Sequence, residues 1–105
     1  MPNARPGEVW QVDPGMVAKS RPCLVLTFPP KENELAVFTV VAHITALRGN
    51  RWEMPIRKHL LSAEGAFDLQ RVATVESVRL ERKLGELTSA ELDAVLDRLA
   101  ERLGI

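Results

Sequence analysis

Few side chains here join a reactive group to a position that a fold would have to hold. Arg21 stands immediately before Pro22 and the apolar run Cys23–Phe28. A guanidinium at the mouth of an apolar strand is either a solvated rim residue or a placed cation. Arginine offers phosphate or carboxylate a planar two-pronged contact that lysine cannot make. His43 and Thr45 have the same parity in the β-branched stretch 35–45, so in a strand both project to one face. Residues of that parity grow polar toward the strand end, whereas Phe38, Val40, Ala42 and Ile44 are uniformly apolar. The pattern predicts a core face and an opposite, open face carrying His43 and Thr45. Asp68 and Gln70 form a second same-face pair further on. The two histidines, His43 and His59, lie sixteen residues apart, and Cys23 is the sole cysteine, so no metal-ligand spacing is present. No Gly-rich phosphate loop or Ser-His-Asp order stands out. What is left is a dispersed set of polar groups in apolar strands.

Proline and glycine divide the elements that must position these groups. Glu8–Asp13 reads as a strand, followed by the turn signal Pro14-Gly15. Cys23–Phe28 reads as a strand buried on both faces, ended by Pro29-Pro30. Leu35–Thr45 is the next strand, Arg48-Gly49-Asn50 a tight turn, and Arg51–Ile56 a returning strand that Pro55 places at an edge. A loop over Arg57–Gly65, with room for a short helical turn, leads to strands over Phe67–Val78 and Arg79–Leu87. The period then changes: Leu92, Val95, Leu96, Leu99 and Leu103 recur on one helical face, Thr88 and Glu91 form a capping box, and Gly104 marks the stop. Short strands followed by one helix predict a mainly β fold with a C-terminal α-helix, a small barrel or curled sheet with the helix packed on it.

The chain of 105 residues matches one domain, 1–105, with 46% hydrophobic and 27% charged residues, too apolar for disorder. Fourteen cations oppose fourteen anions, which removes the argument for nucleic-acid binding from overall charge. The distribution differs: residues 1–85 carry 12 Lys/Arg against 9 Asp/Glu, while the last twenty residues carry 2 against 5, so the body is net basic. No apolar run approaches the ~20 residues needed to cross a bilayer, and no leader pattern opens the chain, so the expected compartment is the cytoplasm.

Several fragments together resemble the MazF/PemK (Kid-like) toxins. They are Gly7-Glu8-Val9-Trp10-Gln11-Val12-Asp13, then Lys19-Ser20-Arg21-Pro22-Cys23-Leu24-Val25-Leu26, then Val40–Thr45 followed by Arg48. Phe67–Val75 and Arg82-Lys83-Leu84-Gly85-Glu86-Leu87-Thr88 continue the series, so that the likeness covers about residues 6 to 104. The resemblance implies an SH3-like barrel with a C-terminal helix. It implies a homodimeric, metal-independent endoribonuclease of a toxin–antitoxin pair, with single-stranded mRNA as substrate, a cognate acidic antitoxin as partner, and no cofactor. On the same basis Arg21 matches the family's catalytic arginine, Thr45 its catalytic threonine and Asp68 an acidic position used as base or for RNA contact.

Such a reaction uses the RNA's own 2′-OH as nucleophile. The enzyme must take that proton and stabilise a dianionic phosphorane. Arg21 suits the phosphorane, Thr45 supplies one hydrogen bond, and the base is His43 or Asp68. Lys19, Arg48, Arg51 and Gln70 are RNA-binding candidates, with Trp52 either a stacking platform for a base or a residue that covers a core edge or fills the dimer interface. Two departures stand out. The interval between Asp13 and Arg21 holds seven residues where many members carry a longer loop, and Ala66 replaces an arginine that some Kid-like members use. Two further readings remain. One is a CcdB-like inhibitor of DNA gyrase, although the ending Leu103-Gly104-Ile105 lacks that group's Trp. The other is a catalytically dead RNA-binding relative.

Overall fold

A computed structural model describes residues 2–15 and 19–105; the middle of the short loop after Asp13, Met16–Ala18, lies outside the described residues. Six strands and one helix follow in order: β1 Glu8–Val12, β2 Arg21–Val25, β3 Val37–Ile44, β4 Glu53–Met54, β5 Ala66–Glu76, a 3-10 turn Ser77–Arg79, β6 Leu80–Glu86, and α1 Ser89–Leu103. They form one sheet in the order β4-β5-β3-β2-β1-β6, antiparallel at every pairing. Edges remain at β4 and β6, so the sheet is curled and barrel-like without closing.

Helix α1 is set as its sequence predicts. The Thr88 hydroxyl accepts from the Glu91 amide at 3.1 Å, and Glu91 Oε1 accepts from the Thr88 amide at 2.8 Å. Gly104 ends the helix in the left-handed region. Val95, on the inner face of α1, is fully buried in a cluster with Val9, Leu24, Val41, Phe67 and Leu69. Val12, Cys23, Val25, Phe38, Val40 and Leu80 form a second cluster.

Two apolar clusters mean that the central strands are buried on both faces. This corrects the parity expectation for β3. Val41 is inaccessible although its parity was the open one, and His43 is only 4% exposed. The register of β3 against β5 also shifts between Val41 and His43, a local irregularity that breaks simple alternation. Thr45, just past the strand end, is exposed. The returning strand predicted over Arg51–Ile56 contracts to the two residues of β4, at the sheet edge as Pro55 predicts. The long strand predicted to Val78 stops at Glu76, where the 3-10 turn begins.

Candidate active site

Arg21 opens β2, opposite Val12 of β1. On its other side β2 pairs with β3 through Cys23↔Ala42, so the start of β2 runs beside the end of β3. Antiparallel pairing thus carries Arg21 to the residues that follow Ala42. Arg21, His43 and Thr45 line one pocket together with Lys19, Ser20 and Ser62. Three of the four residues that the sequence points to for the chemistry line this pocket, and the fourth, Asp68, does not.

His43 is held there by packing. Its ring stands edge-on to Phe67, with centroids 5.0 Å apart at 78°. Behind it lies Gly65, where a Cβ would come within 2.4 Å of His43 Cε1 and 2.6 Å of the Ile44 carbonyl oxygen. Only glycine leaves room for the ring in this place. Nε2 of His43 is buried and, among the described residues, has no hydrogen-bond partner. Burial pushes the imidazole below its ordinary value of 6.5, so it is neutral at pH 7. A neutral imidazole with an unused nitrogen can accept a proton.

Asp68 is in a different depression, with Arg48, Asn50, Gln70 and Arg71. Its carboxylate is 7% exposed and engaged: Oδ1 accepts from the Gln70 amide at 2.9 Å, and Oδ2 pairs with Arg71 Nε at 3.2 Å. It does not line the Arg21 pocket. An apolar cleft floored by Cys23, Val40, Ala42 and Val75 joins the two depressions, with Arg21 shared at one end and Arg71 at the other. Burial pushes the Cys23 thiol up to about 12, so it serves as an unreactive apolar floor.

The turn that carries Arg48 and Asn50 has an anchor that was not read from the sequence. Glu53 gathers the amides of Arg48, Gly49 and Asn50 at 2.8, 2.7 and 3.1 Å. These bonds, that from Arg48 foremost, hold the Glu53 carboxyl below its ordinary value. The available signal was a glutamate three residues after Gly49-Asn50, the spacing by which a carboxylate reaches back to turn amides.

Arg51 and Trp52 serve another part of the molecule. The Trp52 ring packs on the cluster beneath α1, with the Arg51 guanidinium 4.2 Å over it and that of Arg102 at 5.5 Å. Arg51 also faces Glu101 at 3.8 Å, and its carbonyl accepts from Arg98 at 2.6 Å. Of the two roles left open for Trp52, this placement is that of a core cover. Among the described residues, no carboxylate pairs with Lys19, Arg21 or Arg48, and no three His, Cys, Asp or Glu gather as a metal site. Among the described residues, no helix is long and apolar enough to cross a membrane.

Known structures share this architecture. A mycobacterial endoribonuclease solved with its cognate antitoxin superposes with TM-score 0.79 at 22% identity, covering 97% of this chain and 96% of that one. MazF of the MazE-MazF complex from Deinococcus radiodurans gives 0.79 at 20% identity, covering 100% and 99%. The Mycobacterium tuberculosis toxin MazF-mt6 gives 0.72 at 24% identity, covering 96% and 98%. Comparison with curated proteins gives no significant match. A sequence model of the PemK-like, MazF-like toxins of type II toxin–antitoxin systems matches residues 5–103, nearly the whole chain, and the chain belongs to that family.

Proposed function

We propose that this protein is an endoribonuclease toxin that cuts single-stranded mRNA at short sequences through attack of the 2′-OH on the adjacent phosphorus. The observation that carries this reading is the meeting of Arg21, Thr45 and a buried His43 with an unused Nε2 in one pocket. His43 accepts the 2′-OH proton. The 2′-oxygen bonds to phosphorus, and Arg21 grips two oxygens of the dianionic phosphorane. The Thr45 hydroxyl donates a further hydrogen bond. The bond to the 5′-oxygen breaks, leaving a 2′,3′-cyclic phosphate, and the departing oxygen takes a proton from water to become a 5′-OH. Asp68, engaged by Arg71 and the Gln70 amide in the neighbouring depression, leaves the proton to His43.

The protein acts in the cytoplasm, as a homodimer, and is held inactive by an acidic antitoxin. The net basic body and the cations along the cleft favour such a partner. Its binding weakens as salt rises, and a titration giving one affinity at low and high salt would remove this partner. The enzyme itself is tested by incubating purified protein with long mixed-sequence RNA in EDTA and mapping the ends. Cuts at a short motif with 5′-OH termini are expected. Cleavage lost on chelation and restored by a divalent ion would overturn the 2′-OH mechanism. Intact RNA beside inhibited gyrase would move the protein to the CcdB-like reading.

A further inference from the structure

The depression at the far end of the cleft contains a hydrogen-bond relay whose direction is fixed by the backbone. The Trp52 amide donates to Asn50 Oδ1 at 2.9 Å. A backbone N–H cannot reverse, so the Asn50 side chain must keep its oxygen on that side and turn its NH₂ the other way. Asn50 Nδ2 then donates to Gln70 Oε1 at 2.9 Å. Gln70 is therefore obliged to present its own NH₂ outward. The same depression is lined by the guanidinium groups of Arg48 and Arg71, while the one carboxylate, Asp68, is buried and engaged by Arg71 and the Gln70 amide. What faces solvent is a group of donors, Arg48 from the turn and Gln70 and Arg71 from β5.

Single-stranded RNA is read by hydrogen bonds to base edges. Guanine offers O6 and N7, and uracil O4, where adenine and cytosine place an amino group. We propose that the pocket formed by Asn50, Gln70, Arg48 and Arg71 is a base-reading subsite that selects a base presenting a carbonyl oxygen, guanine or uracil, over adenine or cytosine. This deepens the ribonuclease reading and rests on it for the cutting step. The apolar cleft that joins this pocket to Arg21 places the selected base on the same strand as the scissile phosphate. Gln70 is the reading residue, and Asn50 is a positioning residue that sets which end of the Gln70 amide faces out.

The relay gives a test at two positions. Gln70→Glu keeps an oxygen for Asn50 and turns an acceptor outward. Asn50→Asp keeps an oxygen for the Trp52 amide but offers Gln70 a second oxygen, so Gln70 must reverse and expose its carbonyl. Both variants should turn selection from guanine or uracil toward adenine or cytosine, by about tenfold or more. Wild type and both variants are incubated with a random-sequence RNA pool and the cut sites are sequenced. Binding of fluorescent oligoribonucleotides that differ at one base is measured alongside by anisotropy. The expected result is one fixed position near the cut that carries guanine or uracil in the wild type and shifts in both variants. If both variants fold by circular dichroism and keep the wild-type base at every position, the subsite is overturned while the ribonuclease stands. If the wild type cuts no RNA, the ribonuclease reading falls. The subsite is then decided by anisotropy, where equal affinity for carbonyl and amino bases overturns it.

Discussion

The helix side of the sheet and its cleft side treat charge in opposite ways. On the helix side, polar groups satisfy one another: Lys58 pairs with Glu91 at 2.9 Å, Arg51 lies over Trp52 and faces Glu101, and Arg98 donates to the Arg51 carbonyl. On the cleft side, among the described residues, the Arg21 and Lys19 side chains pair with no carboxylate and His43 Nε2 has no hydrogen-bond partner. A buried polar atom without a hydrogen bond costs on the order of 1–3 kcal/mol, so it marks either strain or a waiting ligand. Internal satisfaction stabilises the fold, and the absence of it is where chemistry is available.

Substitutions can break this contrast. The largest expected effect is at Arg21. Arg21→Ala should lower RNA cleavage by a factor of about 10²–10³, with little recovery in Arg21→Lys, because an ammonium cannot make the two-pronged contact. Thermal unfolding of the same variant should be almost unchanged; a collapse of the fold would make Arg21 structural. His43→Ala should reduce the rate by about 10²-fold if the ring is the base. A loss of only a few fold would return the base to Asp68 or to water.

Gly65→Ala acts one step removed. The added methyl must displace the His43 ring or the Ile44 carbonyl, costing about 1–3 kcal/mol in denaturant titration. Cleavage by the folded fraction should fall as well, since the imidazole moves; a stable and fully active variant would show that its position is not critical. On the satisfied side, Thr88→Ala removes the cap of α1 and should cost about 1 kcal/mol of stability, with no change in cut-site choice. A changed motif in this variant would blur the division between the two regions.

The smallest effect is a pH dependence. Above pH 6.5 the His43 imidazole is neutral in folded and unfolded chains alike. As pH falls below 6.5 the unfolded chain takes up a proton that the folded one refuses, so stability declines. The decline levels off once pH passes the lower folded value. Comparing stability at pH 7 and 5 in wild type and His43→Asn isolates it: the variant should show the shallower slope. The acid limb of the cleavage profile should likewise lie below pH 6.5.

The helix was legible because its signals are local: a capping box, a 3.6-residue stripe and a terminal glycine, all within Thr88–Gly104. Most strands were legible for the same reason. The exposure of His43 was not, because alternation assumes one wet face, and here a helix covers one side of the sheet while its curl buries the other. The grouping of Arg21 with Thr45 was visible only through a family likeness, since the two lie twenty-four residues apart in sequence and are joined only through the pairing of β2 with β3. The separation of Asp68 from Arg21 and the Glu53 anchor depend on three-dimensional packing that spacing does not encode.

The open edges of the sheet carry a final consequence. β4 has only two residues, Glu53 and Met54, and Pro55 follows at once, so it offers almost no ladder to a foreign strand. At the other edge β6 bears Glu81, Arg82, Lys83 and Glu86, and its register against β1 slips twice. Short length, proline, charge and irregular register are the means by which sheets resist growing into one another. A chain that leaves its barrel unclosed therefore guards both borders against pairing with a foreign strand.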